Sequence, residues 1–297
     1  MGPIDHVHGF GACESRNPSQ CLTGHGRARY HQSVRSIGAL LGKPACSNAS
    51  TSAGGKLAGP GGCSTMEQKN MLNLYFHATP NSMKVAVLLE ELELPFDLSP
   101  VDIFKGEQHA PEFRAVNPNG KVPAMVDGDV TIFDSHAILL YLAEKHGKFL
   151  PSELKNKAVM LSWLQFVATG LSPFSGQAIH FLHYAPEDIA YAKNRYVKEA
   201  ERHYSVLDHR LAQARYLAGD EYTIADMALW GWAASAGYVF GQKGLGDYPN
   251  VMRFMDEVTK RPAVQRALDI KAKHTFKAEL DTETRRAMFP QNETVAA

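Results

Sequence analysis

The chain has 297 residues, of which 44% are hydrophobic and 21% charged, a composition typical of a folded globular protein with up to two domains. Its 31 basic and 31 acidic side chains cancel, so overall charge gives no indication of binding to nucleic acid or to an anionic membrane. No uninterrupted apolar run approaches the roughly 20 residues that a transmembrane helix needs, and we expect a soluble, cytoplasmic protein.

Residues 1–65 differ in composition from the rest of the chain. They are rich in glycine and serine and have no sustained apolar period, so we predict a disordered extension without a catalytic part. A transit peptide is the alternative, although no amphipathic helix is evident in the segment. All the cysteines lie in it, with spacings that fit no zinc or C-x-x-C motif: Cys13, Cys21, Cys46 and Cys63. Thiol chemistry in the rest of the chain therefore needs a thiol that a ligand brings.

A buried strand that leads directly into a helix is predicted between Leu72 and Leu94. The apolar run Leu72–Phe76 favours the strand, Pro80 suits the first helical position, and Thr79 is a natural N-cap. The junction leaves unpaired backbone N–H groups and the positive end of the helix dipole, a combination that suits an anion. The alternative is that this sequence only begins a helix.

Short strands and helices alternate along the next part of the chain. The strand candidates are Phe96–Ile103, Val122–Val126 and Val130–Phe133. A short helix begins at Pro111, and a longer one is capped by Asp134 and Ser135 and stopped by Gly147. The order β-α-β-α-β-β-α predicts an α/β thioredoxin-like domain over residues 70–148.

From residue 154 onward the pattern is helical. The predicted helical runs are Leu154–Tyr184, Pro186–Ala214, Thr223–Phe240, Asn250–Lys260 and a last one from Pro262. They predict an all-α domain over residues 154–274, and the polar remainder, 275–297, is predicted to be a loose tail.

Several motifs, in this order, resemble those of the cytosolic glutathione transferases. They are NPNGKVPAMV, FDSHAILLYLAEK, YTIADMALWGW and DYPNVMRFMDEVTKRPAVQRAL. Three further stretches, TPNSMKVAVLLEEL, KGEQHAPEF and HFLHYAP, are similar to the bacterial nu-class branch, the glutathione-dependent disulfide-bond oxidoreductase-like group. The resemblance covers nearly everything from Leu72 to about Ala272. It implies the glutathione transferase fold, glutathione as co-substrate without a metal, a homodimer, and a small electrophilic or disulfide second substrate.

Glutathione carries two carboxylates, an amine, a peptide and a thiol, so its site needs a complement for each. Asp134 can pair with the amine, while the Ser135 hydroxyl and the helix N–H groups hold a carboxylate. Val122 can offer its backbone N–H and C=O to the cysteinyl unit in a strand-like pairing. The resemblance implies that the Pro123 peptide bond is cis.

Five further side chains are candidate ligand-binding residues. Lys121 and Gln108 can meet the glycine end of glutathione, although each alone is more often solvated surface. Arg195 can bind a second anionic ligand, such as the other half of glutathione disulfide, with surface solvation as its alternative. His180 and His183 suggest a metal site only weakly, because no carboxylate accompanies them, and no metal is predicted.

Thr79 and Asn81 are the predicted catalytic residues, because the resemblance places the thiolate at their junction. This part of the chain has no counterpart of the redox-active cysteine of the omega-like branch, and Tyr75 lies too far inside its strand. Lowering a thiol pKa of about 8.5 by two units needs about 2.7 kcal/mol. Two hydrogen bonds of about 1.5–3 kcal/mol and a helix N-terminus of about 0.3–1 kcal/mol suffice. We therefore predict that the thiolate of bound glutathione is the nucleophile and that no base is needed.

The function predicted from these residues is that of a glutathione transferase or glutathione-dependent disulfide-bond oxidoreductase. The alternative is a non-catalytic binding or regulatory module with the same fold. An intact set of glutathione-binding residues weakens that alternative, as does an extension that lacks the Asn and Gln richness of a prion segment.

Overall fold

The computed structural model describes residues 72–295, with side chains through Asn292. The predicted extension over residues 1–65 and its four cysteines lie outside the described residues. Within the described range, no helix is both long and apolar enough to cross a bilayer.

A four-stranded mixed sheet forms the first half of the described chain. Its strands are β1 (Leu72–Phe76), β2 (Phe96–Pro100), β3 (Ala124–Asp127) and β4 (Val130–Phe133), in the spatial order β2-β1-β3-β4. β1 is parallel to β2 and antiparallel to β3, and β3 and β4 form an antiparallel hairpin. Because parallel neighbours need a crossover connection, a helix lies between β1 and β2 along the chain. This is the predicted thioredoxin-like arrangement.

Three helices accompany the sheet, and their ends follow the predicted local signals. They are α1 (Pro80–Glu91), α2 (Pro111–Val116) and α3 (Ser135–His146). Thr79 caps α1 by accepting a hydrogen bond from the backbone N–H of Ser82, and Pro80 stands at the first helical position. Asp134 caps α3, and Gly147 ends it with φ of 61°. The first turns of α1 and α3 therefore begin where the sequence predicted.

The second half is helical, as predicted. Its helices are α4 (Leu154–Phe166), α5 (Ser172–Ile179), α6 (Ala190–Gln213), α7 (Ile224–Ala233), α8 (Gly237–Phe240), α9 (Pro249–Thr259), α10 (Pro262–Lys273) and α11 (Thr282–Met288). Two π-helical segments, Val167–Leu171 and His180–Tyr184, continue α4 and α5. Every residue of α7 is buried, so this helix lies at the centre of the helical half.

Helix α7 packs closely against the first turn of α1. A Cβ atom at Gly231 would lie only 2.6 Å from the backbone oxygen of Pro80 and 3.3 Å from the Cβ atom of Lys84. A side chain larger than hydrogen would force the two helices apart. Glycine at position 231 therefore allows α7 to pack directly against the beginning of α1.

The C-terminal segment is folded, in contrast to the loose tail predicted from its polarity. The ring of Phe276 lies 4.0 Å from that of His77, and the backbone N–H of Lys277 donates to Asp102 Oδ2 at 2.9 Å. Asp281 caps α11, the helix that follows. A few specific contacts order this segment, and such contacts leave no periodic apolar pattern in the sequence.

Lys84 on α1 is a fully buried lysine. Its Nζ lies 3.4 Å from Nε2 of His136, and burial lowers the pKa of Lys84 to about 7, although the charge of Asp134 opposes the change. Lysine in the unfolded chain titrates near pH 10.4, so the unfolded state binds more protons between about pH 7 and that value. On account of Lys84, the free energy of unfolding should therefore rise with pH across this range.

We expect Lys84→Met to stabilise the protein at about pH 7. Removing the buried amine should raise the free energy of unfolding by on the order of 2 kcal/mol, which corresponds to an increase of about 4–8 °C in Tm for a domain of this size. Thermal unfolding at about pH 7 and about pH 9.5 checks this, and the advantage of the variant should shrink at the higher pH. An advantage that is the same at both pH values would contradict the low pKa of Lys84.

Candidate active site

Two adjoining cavities lie at the beginning of α1. The larger has a volume of about 560 Å³ and the smaller about 70 Å³, and both are lined by Asn81, Asn119, Lys121 and Val122. Thr79 and Gln108 line the larger cavity, whereas Pro123, Asp134 and Ser135 line the smaller one. All the predicted site residues except Arg195 therefore meet along one groove.

Asn81 and Thr79 differ in what their side chains already bind. Thr79 Oγ1 accepts from the Ser82 backbone N–H at 3.3 Å and donates to Ser82 Oγ at 3.2 Å, so this hydroxyl is engaged in capping α1. Asn81 Oδ1 accepts from Trp232 Nε1–H at 3.1 Å. An indole N–H can only donate, so the amide oxygen faces the tryptophan and Nδ2 keeps its two hydrogens for another acceptor. The geometry favours Asn81 over Thr79 as a donor to a ligand.

The loop before β3 carries three of the predicted residues, Lys121, Val122 and Pro123. Asn117 shapes it, because its Nδ2 donates to the backbone oxygen of Lys121 and its Oδ1 accepts from the backbone N–H of Asn119 at 3.0 Å. The peptide bond between Val122 and Pro123 is cis, as the family resemblance implied. Pairing with β1 starts at Ala124, so Val122, two residues earlier, lies just outside the paired part of the sheet.

Asp134 stands at the beginning of α3 in an unusual backbone conformation. Its φ is 74°, a region that residues other than glycine rarely occupy and that clusters at functional sites. Its Oδ1 accepts from the backbone N–H of His136 at 2.8 Å and of Ala137 at 3.3 Å. The side chain is 65% exposed, which leaves Oδ2 open to a cationic ligand group, and the adjacent Ser135 is buried.

Gln108 is a buried residue that lines the larger cavity. Its Nε2 donates to the backbone oxygen of Ala287 at 3.3 Å, so the amide also touches the C-terminal segment. Its Oε1 is buried and has no hydrogen-bond partner among the described residues.

Arg195 is not brought to the groove. Its exposed side chain pairs with Glu199 at 3.0 Å and lies 5.7 Å from the centre of the Phe174 ring, and it lines neither of the two cavities. Hydrogen bonds from Arg202 and Arg195 lower the pKa of Glu199 to about 2, so this carboxylate is ionised and keeps the arginine engaged. A role for Arg195 with a second anionic ligand stays a prediction.

Two cationic side chains give the larger cavity an anion-binding character. Arg114 and Lys121 line it, and neither forms an ion pair with a carboxylate of the described residues. The opposite wall is mostly apolar and comes from the helical half and the C-terminal segment, through Ile179, Tyr184, Trp232, Met288 and Phe289. The cavity thus combines an anion-binding side with an apolar side.

Most of that apolar wall was not predicted from the sequence. Tyr184 lies in a stretch in which only the histidines were candidate ligand-binding residues, and Phe289 lies in the segment predicted to be loose. An aromatic residue inside a polar tail was the available signal for Phe289.

His180 packs edge-on against Phe289, with ring centres 4.8 Å apart, while His183 Nε2 lies 2.7 Å from the backbone oxygen of Tyr238. Among residues whose side chains are described, no group of three or more His, Cys, Asp or Glu could hold a metal ion.

Two family models match the chain. Residues 78–145 match the glutathione S-transferase N-terminal domain, and residues 171–262 match the glutathione S-transferase C-terminal domain. The disulfide-bond oxidoreductase YfcG of Escherichia coli is 43% identical over 205 residues, which cover 67% of this chain and 94% of that protein.

Solved structures give the same result. Glutathione transferase YghU from Streptococcus pneumoniae, complexed with glutathione, is 38% identical with a TM-score of 0.65, covering 70% of this chain and 85% of that one. A glutathione transferase from Pseudomonas putida with one glutathione disulfide bound per subunit is 32% identical, also with a TM-score of 0.65, covering 69% and 94%.

Proposed function

This chain belongs to the glutathione S-transferase family, and we propose that it binds glutathione along the groove and uses the glutathione thiolate to reduce disulfide bonds. The same thiolate can attack an electrophilic carbon in a transferase reaction. The observation that carries the proposal is the amide of Asn81, which lines the groove at the N-terminus of α1 and whose Oδ1 accepts from Trp232, so that Nδ2 keeps its hydrogens for a ligand.

Each part of glutathione has a complement in the groove. The open carboxylate oxygen of Asp134 suits the amine, and the Ser135 hydroxyl at the N-terminus of α3 suits the neighbouring carboxylate. The backbone of Val122 can pair with the cysteinyl unit. Lys121 and Gln108 line the larger cavity, where they can meet the glycine end of glutathione, and Lys121 can attract its carboxylate. This order places the sulfur near Asn81.

The proposed disulfide reaction has two steps. The glutathione thiolate attacks one sulfur of the substrate, so that a mixed disulfide forms while the other sulfur leaves as a thiolate. A second glutathione thiolate then attacks the mixed disulfide and releases glutathione disulfide and the second substrate thiol. The departing thiolates take protons from water. The protein lowers the pKa of the first thiol through Asn81 and the α1 dipole, and no cysteine of the protein takes part.

We expect the full chain to bind reduced glutathione in a calorimetric titration and to turn over a small disulfide or an electrophilic aryl halide. Ser135→Ala should weaken glutathione binding about tenfold, because a hydrogen bond to a carboxylate is lost. The exposed Ser162 on α4 supplies the matched control, since its hydroxyl only bonds the backbone oxygen of Ala158. Binding without either turnover would favour the non-catalytic module, and absence of binding would overturn the proposal.

Assembly, location and domain limits are further parts of the proposal. We propose a homodimer in the cytoplasm, with a glutathione-binding domain over 70–148, a helical domain over 154–274 and an extension over 1–65 that catalysis does not need. The apolar wall of the larger cavity supports a small second substrate. Light scattering at micromolar concentration that shows only monomer would count against the dimer.

A further inference from the structure

We propose that Trp232 is a positioning residue for the reaction, because its indole N–H holds Asn81 in the amide orientation that presents N–H to the glutathione sulfur. This inference rests on the proposed role of Asn81 as the thiolate donor. Trp232 belongs to α7 in the helical half, whereas Asn81 belongs to the first turn of α1, and 151 positions of sequence separate them. The helical half would then set the orientation of a catalytic group in the thioredoxin-like half.

An asparagine amide has two orientations of nearly the same shape, with opposite consequences for a thiolate. With Nδ2 toward the groove the side chain donates a hydrogen bond to the sulfur, and with Oδ1 toward the groove it repels the negative charge. Trp232 Nε1 lies 3.1 Å from Asn81 Oδ1. The indole nitrogen has a hydrogen and no acceptor site, so the reversed amide would set N–H against N–H. The indole thus selects the donating orientation.

Close packing keeps the indole in place. Trp232 is only 7% exposed, and at the preceding residue, Gly231, a Cβ atom would lie 2.6 Å from the backbone oxygen of Pro80. Pro80 in turn immediately precedes Asn81. The backbone contact and the side-chain hydrogen bond therefore occur at adjacent positions of both helices, which restricts how far the indole can move relative to the amide.

Trp230 provides a matched control in the same helix. It is also buried, at 2% exposure, and its Nε1 donates to Thr259 Oγ1 at 3.0 Å. It lines neither of the two cavities. Replacing Trp230 by Phe removes a buried indole hydrogen bond and part of a ring from α7, as Trp232→Phe does, but it leaves Asn81 untouched.

The test compares the pKa of bound glutathione and the pH dependence of disulfide turnover in Trp232→Phe and Trp230→Phe. We expect Trp232→Phe to raise the thiol pKa by about 0.5–1 and, through the smaller thiolate fraction, to lower kcat at about pH 7 by roughly 1.5- to threefold. Turnover should recover at about pH 9 as the thiol ionises, and KM for glutathione should change little. Trp230→Phe should leave both the pKa and the pH profile as in the wild type.

Combination with Asn81→Ala shows whether Trp232 acts through Asn81. If it does, adding Trp232→Phe to Asn81→Ala should not raise the thiol pKa further. A full additional increase would overturn the inference, as would an unchanged pKa in Trp232→Phe when Asn81→Ala raises it. If Asn81→Ala itself leaves the pKa unchanged, the premise fails together with the inference, while measured glutathione binding and turnover still decide the proposed function.

A second measurement needs no tryptophan variant and therefore does not depend on the stability of one. The chain has three tryptophans, so its NMR spectrum contains three indole N–H signals. Asn81→Ala should shift one of them and speed its exchange with solvent, and should leave the signal of Trp230 in place. Three unchanged signals would show that the hydrogen bond does not form in solution, and would overturn the inference.

Discussion

Asn81→Ala should lower kcat/KM for a disulfide substrate at about pH 7 by roughly ten- to twentyfold, and most of the loss should be recovered at about pH 9. A hydrogen bond to a charged group contributes about 1.5–3 kcal/mol, and each 1.36 kcal/mol is a factor of ten in rate. Without the donor, the pKa of the bound thiol rises toward its ordinary value near 8.5. The fraction of thiolate at neutral pH then falls, and higher pH restores it.

Two further variants sharpen this test. Asn156→Ala removes an exposed asparagine from the first turn of α4, where its Nδ2 bonds only to Glu153, and it should have no effect on rate. Thr79→Ala should mainly lower stability, by about 1 kcal/mol, because it removes the N-cap of α1. If the pH–rate profile moves with Thr79→Ala but not with Asn81→Ala, Thr79 rather than Asn81 is the thiolate donor.

Asp226→Ala should destabilise the protein by about 3–5 kcal/mol, or roughly 6–20 °C in Tm. The carboxylate is completely buried at the beginning of α7 and accepts from the backbone N–H groups of Leu217 and Thr223, both at 2.8 Å, and from the Thr223 hydroxyl at 3.0 Å. Its removal leaves these buried donors without an acceptor, and each unpaired group costs about 1–3 kcal/mol. Thermal unfolding of the variant measures the loss.

Asp208 offers the comparison for this prediction. It also accepts three hydrogen bonds at the beginning of a helix, from the backbone N–H groups of Asn250 and Val251 and from the Asn250 amide, but it is only half-buried. Water can replace Asp208, so Asp208→Ala should cost clearly less than Asp226→Ala. Equal losses in Tm would mean that burial does not determine the effect.

The parts of the site that depend on local signals were predictable from sequence. Thr79 and Pro80 define the start of α1 through an N-cap and a fixed φ. Asp134 defines the start of α3 as its N-cap. Glycine at position 147 marks the end of α3. Such signals involve neighbours along the chain, so they can be interpreted before the fold is known.

Two strand limits differ from those predicted. β2 ends at Pro100 rather than Ile103, and β3 begins at Ala124, just after Pro123, rather than at Val122. Pro123 has no backbone N–H to donate to a neighbouring strand, so the pairing of β3 begins after it. β2 ends because its partner β1 ends at Phe76, whose oxygen accepts from the backbone N–H of Val101 at 2.8 Å. The apolar pattern continues through both positions and records neither limit.

Contacts between distant parts of the chain were beyond prediction. The hydrogen bond between Trp232 and Asn81 and the contact between Gln108 and Ala287 join residues far apart in sequence. The position of Arg195 relative to the groove could not be predicted either, because the sequence places it in a helix without indicating whether its face of that helix borders the groove. Only the packing of the helices decides these relations.

The most direct test of the central claim uses a variant in which Cys13, Cys21, Cys46 and Cys63 are replaced by Ser, so that the protein contains no thiol of its own. The ultraviolet absorbance of the thiolate then reports only on bound glutathione as pH is varied. We expect a thiol pKa of about 6.5, two units below the ordinary value near 8.5, with disulfide turnover equal to that of the unaltered chain. A pKa that stays near 8.5, or loss of disulfide turnover on removal of the cysteines, would contradict the claim that the bound glutathione thiolate is the nucleophile.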